Sequence, residues 1–174
     1  MICIISGTNR PDSVSLQVAQ LYSQKLSRLN IEHTIVNLQE MPDTYIKSAL
    51  YGNQGKDEQF NVLKAKVNSG SKFIFVVPEY NGSFPGILKV FLDGLDYPGS
   101  FRNKKGALVG LGSGTMGGAL ALSHLTDILN YLGLHVMANK PRLTKVEKIF
   151  IDGEVKDTLL NDLIDLQIKL LLEF

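Results

Sequence analysis

A chain of 174 residues, 44% apolar and 20% charged, is long enough to bury a substantial core and reads as one domain over residues 1–174. Its 18 Lys plus Arg against 17 Asp plus Glu leave a formal charge of +1, and basic residues cluster no further than pairs such as Lys104-Lys105, which argues against a nucleic-acid partner. No secretory signal is read at the N-terminus and no run approaches the roughly 18 apolar residues of a membrane span, so a cytoplasmic protein is expected.

Ile2 to Ile5 is a short apolar strand that carries Cys3, the only cysteine, expected as a buried and inert thiol. From Ser13 to Leu29, Ala19, Tyr22, Leu26 and Leu29 recur at spacings of three and four, the mark of an amphipathic helix. His33 to Val36 is a more polar strand, expected near the sheet edge. A polar connector from Gln39 to Lys56, with Pro42, Gly52 and Gly55, has the length of a lid, an interface or a disordered loop. Asp57 to Val67 reads as a helix with Asp57 and Glu58 at its positive end.

Phe73 to Val77 is five consecutive apolar residues, the pattern of a strand buried on both faces. A helix from Pro85 to about Leu95 follows, since proline is tolerated where the first helical N–H lacks a partner. Ala107 to Leu111 is a strand, and Thr115 to Leu132 a helix stopped by Gly133. Leu134 to Met137 supplies a fifth strand. The irregular stretch Asn139 to Val155 contains a hairpin signal, Asp152-Gly153, and Thr158 to Leu172 is a closing helix. Alternation of this kind implies a parallel sheet with helices on both faces.

Three segments at carboxyl ends of strands carry residues suited to a ligand, where open α/β sheets bind. The loop Ser6 to Ser15 offers hydroxyls, Arg10 and free amides at a helix N-terminus, a combination that suits a phosphate. An ordinary helix start capped by Asp12 or Ser13 accounts for part of it. The loop Pro78-Glu79-Tyr80-Asn81-Gly82-Ser83 presents an aromatic, an amide and a carboxylate, or is a capped turn with Tyr80 packed. Gly112-Ser113-Gly114-Thr115-Met116-Gly117-Gly118 spells GxGxxG but is not a dinucleotide fingerprint. It follows the fourth strand, and Ile128 to Val146 contains no acidic residue for a ribose. It reads as a glycine-rich wall against a flat ligand, or as a turn with close helix packing.

His33, His124 and His135 have no ligand-like spacing, so no metal is expected. Neither a GxSxG elbow nor a Walker pattern is present. Asp93, Asp96 and Glu79 are read as surface or capping residues in preference to acids or bases.

With these residues in view, the chain resembles the NAD(P)H-dependent FMN reductase family, flavodoxin-like proteins that include quinone, azo and chromate reductases. The likeness lies in Gly7-Thr8-Asn9-Arg10 through Ser13 and Ser15, in Pro78 to Asn81 through Pro85-Gly86 and Leu88-Lys89, and more weakly in Gly112 to Gly118. It departs at Val90-Phe91-Leu92-Asp93-Gly94, where the family's tryptophan is missing.

The resemblance implies a flavodoxin-like three-layer α/β sandwich whose five-stranded parallel sheet runs 2-1-3-4-5. It implies that Thr8, Arg10, Ser13, Ser15 and the backbone at Val14 and Leu16 hold the FMN phosphate. Pro78, Glu79, Tyr80, Asn81 and Gly82 would flank the isoalloxazine on one side and Gly112, Ser113 and Gly114 on the other, with amides around Tyr80–Gly82 and Ser113–Gly114 facing its ring nitrogens. No catalytic side chain is required. The implied reaction passes a hydride from NADPH or NADH through FMN to a quinone, azo compound, free flavin or similar small acceptor. The alternative is a non-enzymatic flavodoxin-like electron carrier, although such carriers are typically acidic. A homodimer or homotetramer is implied by the resemblance and by an apolar helix end at Leu170-Leu171-Leu172.

Overall fold

The computed structural model describes residues 1–48 and 51–174. Strands β1 (Ile2–Ser6), β2 (His33–Asn37), β3 (Lys72–Pro78), β4 (Lys105–Gly112) and β5 (His135–Val136) lie in the order β2-β1-β3-β4-β5, all parallel. This is the expected order, with the polar strand β2 at one edge. The fifth position differs from expectation. β5 pairs only with Lys105 and Gly106, and a further strand, β6 (Arg142–Thr144), takes over beside Gly110 to Gly112. From Val136 to Arg142 the chain advances six residues while β4 advances four from Gly106 to Gly110, so the pairing breaks, and Gln167 donates to the Leu108 carbonyl in the gap.

The period of two along the strands divides the core. Ile2, Ile4, Ile74, Val76, Ala107 and Val109 face one side, under α1 (Val14–Arg28) and a C-terminal helix at Thr158–Glu173. Cys3, Ile5, Phe73, Phe75, Val77 and Leu108 face the other. There they are covered by helices at Glu58–Ser69, Gly86–Asp93 and Ala119–Tyr131. In chain order the helices are α2 (Asp43–Ser48), α3 (Glu58–Ser69), α4 (Gly86–Asp93), α5 (Ala119–Tyr131), α6 (Val146–Ile149) and α7 (Thr158–Glu173). Cys3 is buried as expected, and burial pushes its thiol up to about 12, which removes it from redox or nucleophilic work.

The Gln39–Lys56 connector is more ordered than its composition suggests. It holds a 3₁₀ turn at Leu38–Glu40, α2 and a second 3₁₀ turn at Tyr51–Asn53, while its residues 49 and 50 lie outside the described residues. Met41 and Tyr45 anchor it in the core, and Tyr45 stacks on Phe60 at 4.0 Å between ring centroids. Helix α5 starts at Ala119 and not at Thr115, because Gly117 and Gly118 adopt left-handed backbone with φ of 56° and 79°. The Asp152-Gly153 turn closes a hairpin of β7 (Phe150–Ile151) with β8 (Glu154–Val155), as its sequence signal implied. Of Leu170-Leu171-Leu172, Leu171 is core and so is not available as outer surface.

One buried polar side chain ties these layers together. Tyr22 on α1 donates to Gln167 Oε1 on α7 at 2.7 Å, and Gln167 Nε2 donates to the carbonyls of Leu108 at 2.9 Å and Asn139 at 3.0 Å. Every group in this set is satisfied by another, so removing the amide strands three at once. Gln167→Met, similar in length, should therefore lower unfolding stability by about 2–4 kcal/mol in urea titration. A loss below roughly 0.5 kcal/mol would show that the network is not a structural tie.

Candidate functional site

The three candidate loops meet because their strands are in register. Ser6 of β1 lies beside Val76 of β3, Val76 beside Val109 of β4, and Pro78 beside Leu111. Parallel strands that end together send their following loops out over one edge. A cleft of about 240 Å³ opens there, lined from the first loop by Thr8, Arg10, Ser13, Val14 and Ser15, from the second by Pro78, Glu79 and Tyr80, and from the third by Gly112 and Ser113.

The first loop combines a helix cap with a set of donors. Asp12 turns the chain in left-handed backbone with φ of 50°, and Ser13 then caps α1, its Oγ accepting from the Leu16 amide at 3.2 Å. Leu16 is thereby committed to the cap and lies outside the cleft lining. The amides of Val14 and Ser15 head the helix, where no intrahelical acceptor exists for them. Thr8 is buried; its Oγ1 accepts from the Arg10 amide at 3.3 Å and bonds the Tyr80 hydroxyl at 2.8 Å. Arg10 makes no side-chain ion pair among the described residues.

The second loop is a two-residue reverse turn. Asn81 and Gly82 have φ of 51° and 78°, and Tyr80 and Ser83 exchange backbone bonds of 2.8 and 3.1 Å. Both central residues at positive φ define a type I′ turn, for which Asn-Gly is the favoured pair. Glu79 donates its amide to Leu111 O at 3.0 Å. The amides of Glu79 and Tyr80 are therefore spent on the scaffold, and those of Asn81 and Gly82 are the ones the turn leaves over. Neither Asn81 nor Gly82 lines the cleft; Gly82 sits against Leu120 of α5. Ser83 Oγ shares a bond of 3.0 Å with His124 Nδ1.

The third loop is braced from the irregular stretch that follows Asn139. The Lys145 amide donates to Gly114 O at 3.0 Å, and Ser113 Oγ donates to the carboxylate of Glu147 on α6. That bond, the Glu147 amide and the charge of Arg10 hold the Glu147 carboxyl below its ordinary range, the Ser113 bond acting most strongly. Gly114 lies outside the lining, whereas Asp12, Leu111, Val146 and Glu147 lie within it. No spacing in the sequence announces Glu147; it arrives because β6 pairs with the end of β4 and α6 follows at once.

Other expectations sort as surface structure. Asp93 pairs with Lys89 one helical turn away at 2.7 Å. Asp96 accepts from Asn68 and Lys64, and the Asn68 bond chiefly lowers its carboxyl from the ordinary value. No group of three or more His, Cys, Asp or Glu side chains that could hold a metal occurs among the described residues. At Gly94, where the resemblance calls for tryptophan, a Cβ would run into the Tyr45 hydroxyl and the Phe60 ring. The Tyr45–Phe60 stack fills that side of α4. A larger cavity of 550 Å³ lies between α4 and α5, lined by Asp93, Asp96, Tyr97 and Tyr131, away from the strand ends.

Comparison with known proteins yields a consistent set. The family model for NADPH-dependent FMN reductase matches residues 1–145. The chain is 30% identical over 149 residues to a 2-hydroxy-1,4-benzoquinone reductase of Burkholderia sp, covering 82% of this chain and 76% of that protein. It is 33% identical over 159 residues to an NAD(P)H-dependent FMN reductase of Schizosaccharomyces pombe, covering 88% of this chain and 78% of that one. In fold it is similar to FerB, a flavoenzyme NAD(P)H:(acceptor) oxidoreductase from Paracoccus denitrificans, with a TM-score of 0.76, 22% identity and coverage of 99% and 97%.

The Thr8–Tyr80 bond joins the first loop to the second and can be measured directly. Thr8→Val, Tyr80→Phe and the double variant form a cycle whose coupling should be about 1 kcal/mol in unfolding free energy. Additive losses would show that the two hydroxyls do not hold the loops together.

Proposed function

The chain belongs to the NADPH-dependent FMN reductase family, and from that premise we propose which of its residues hold the cofactor and what it reduces. It is an FMN-using oxidoreductase that draws on NAD(P)H, not a passive electron carrier. The observation that carries the site assignment is the convergence of α1's N-terminus, Pro78 to Tyr80 and Gly112-Ser113 on one strand-end cleft, with Asn81, Gly82 and Gly114 beyond its lining. The donor set there fits FMN. Hydroxyls on Thr8, Ser13 and Ser15, the Arg10 guanidinium and the amides of Val14 and Ser15 suit a phosphate at the positive end of a 15-residue helix.

In this reading Pro78 to Gly82 and Gly112 to Gly114 flank the isoalloxazine. Accepting and donating a hydride is the chemistry FMN supplies when bound. The protein's own part is to bind, to orient and to stabilise charge. Asn81 and Gly82 carry the amides left free by the turn, so they are the donors assigned to the ring nitrogens; Tyr80, whose amide is taken, contributes its hydroxyl through Thr8. No side chain need act as a general acid or base.

The acceptor proposed is a quinone or a similar small aromatic compound, in keeping with the relative that reduces 2-hydroxy-1,4-benzoquinone. Residues 1–174 are taken as a single FMN-binding domain. A homodimer or homotetramer is part of the proposal, supported by the α4–α5 groove, where Tyr97 and Tyr131 stack while 66% and 77% exposed. So is a cytoplasmic location, consistent with a lone buried thiol; no helix among the described residues is long and apolar enough to cross a membrane.

Protein loaded with FMN should oxidise NADPH or NADH when a benzoquinone is supplied, followed at the nicotinamide absorbance. FMN bound tightly with no nicotinamide consumed for any quinone, azo or flavin acceptor would contradict the proposal.

A further inference from the structure

Among the described residues, the cleft is lined by one cationic side chain, Arg10, and by three carboxylates, those of Asp12, Glu79 and Glu147. That balance opposes an anionic ligand, although the same cleft supplies the hydroxyl and amide donors of a phosphate site. Asp12 and Glu79 belong to the loops that build the cleft: the first turns the chain into α1, and the second ties β3 to β4 through its amide. Glu147 has no such backbone duty there. It is brought in from α6 and held on the wall by the Ser113 hydroxyl, while the Lys145 amide fixes the same wall through Gly114 O. Lys145 and Lys148 are its charged neighbours in sequence, and neither lines the cleft.

We propose that Glu147 is a specificity-determining residue whose negative charge, on the same cleft lining as the phosphate donors and felt by Arg10, weakens the hold on phosphate-bearing flavin and keeps FMN exchangeable. The inference rests on the assignment of FMN to this cleft. The Ser113 hydroxyl donates to the carboxylate and favours its position on the cleft wall. The side chain is exposed, so its effect is screened by water and salt and is modest in size. Arg10 then answers to two anions, the carboxylate and the phosphate, and its hold on the phosphate is diluted.

Glu147→Gln keeps an oxygen that accepts from Ser113 and removes the charge; Glu147→Asp keeps the charge. Flavin fluorescence titrations of wild type and both variants, with FMN and with riboflavin, at low and high salt, test the inference without reference to turnover. Glu147→Gln should tighten FMN by about threefold at low ionic strength. Riboflavin affinity should change little, the gain should fade in high salt, and Glu147→Asp should stay near wild type. Unchanged or weaker FMN binding in Glu147→Gln would overturn the inference, as would equal tightening of FMN and riboflavin. Wild-type protein that binds neither flavin would instead overturn the cofactor assignment, and this inference with it.

Discussion

The parallel, in-register pairing of β1, β3 and β4 is the constraint on which everything at the cleft depends. A slip of one residue would turn each strand's apolar set to the opposite face, so the two buried cores enforce the register. Once enforced, it leaves Ser6, Pro78 and Gly112 ending at one edge of the sheet. The site therefore inherits its geometry from hydrophobic packing well below it. Loops placed in this way need few bonds of their own. The Thr8–Tyr80 bond and the Ser113–Glu147 bond are enough to join neighbouring loops across the edge.

Most of the scaffold was legible from apolar periodicity. The run Phe73 to Val77 is buried throughout, and α1 covers the sheet with Ala19, Tyr22 and Leu26 as its spacing selects, while Leu29, also selected, lies exposed at the helix end. Two turn signals were equally local. Asn81-Gly82 and Asp152-Gly153 both adopt positive φ at both positions, which follows from the tolerance of Asn, Asp and Gly for left-handed backbone. The parts that were missed depend on long-range pairing. The fifth strand position is split between β5 and β6 because six residues span the distance that four cover on β4, and the second segment makes sense only once β4 is there to receive it. Glu147 follows from that pairing, so nothing near it in sequence marks it as part of the cleft. The connector after β2 has the length of a lid, an interface or a disordered loop, yet Met41 and Tyr45 dock it in the core.

The site itself was legible in its residue types and less so in how they are used. Ser13 serves as the helix cap and lines the cleft, so capping and ligand binding are not competing explanations. The same cap consumes the Leu16 amide, and the I′ turn consumes that of Tyr80. Donors that look equivalent in a sequence are thus divided by backbone bonding into those that build the loop and those left for a ligand. On the proposed reading, a cleft whose amides, hydroxyls and one guanidinium stand beside three carboxylates acts as a cofactor holder. It supplies position and charge stabilisation, and the redox chemistry comes with the flavin.

A crystal structure of the protein with FMN is the most direct test of the claim that three strand ends build one cofactor site. The phosphate should lie at the N-terminus of α1 among Thr8, Arg10, Ser13 and Ser15, with the ring between the 78–82 turn and the 112–114 loop. Flavin seated elsewhere, such as the groove between α4 and α5, or a phosphate turned away from α1, would contradict it.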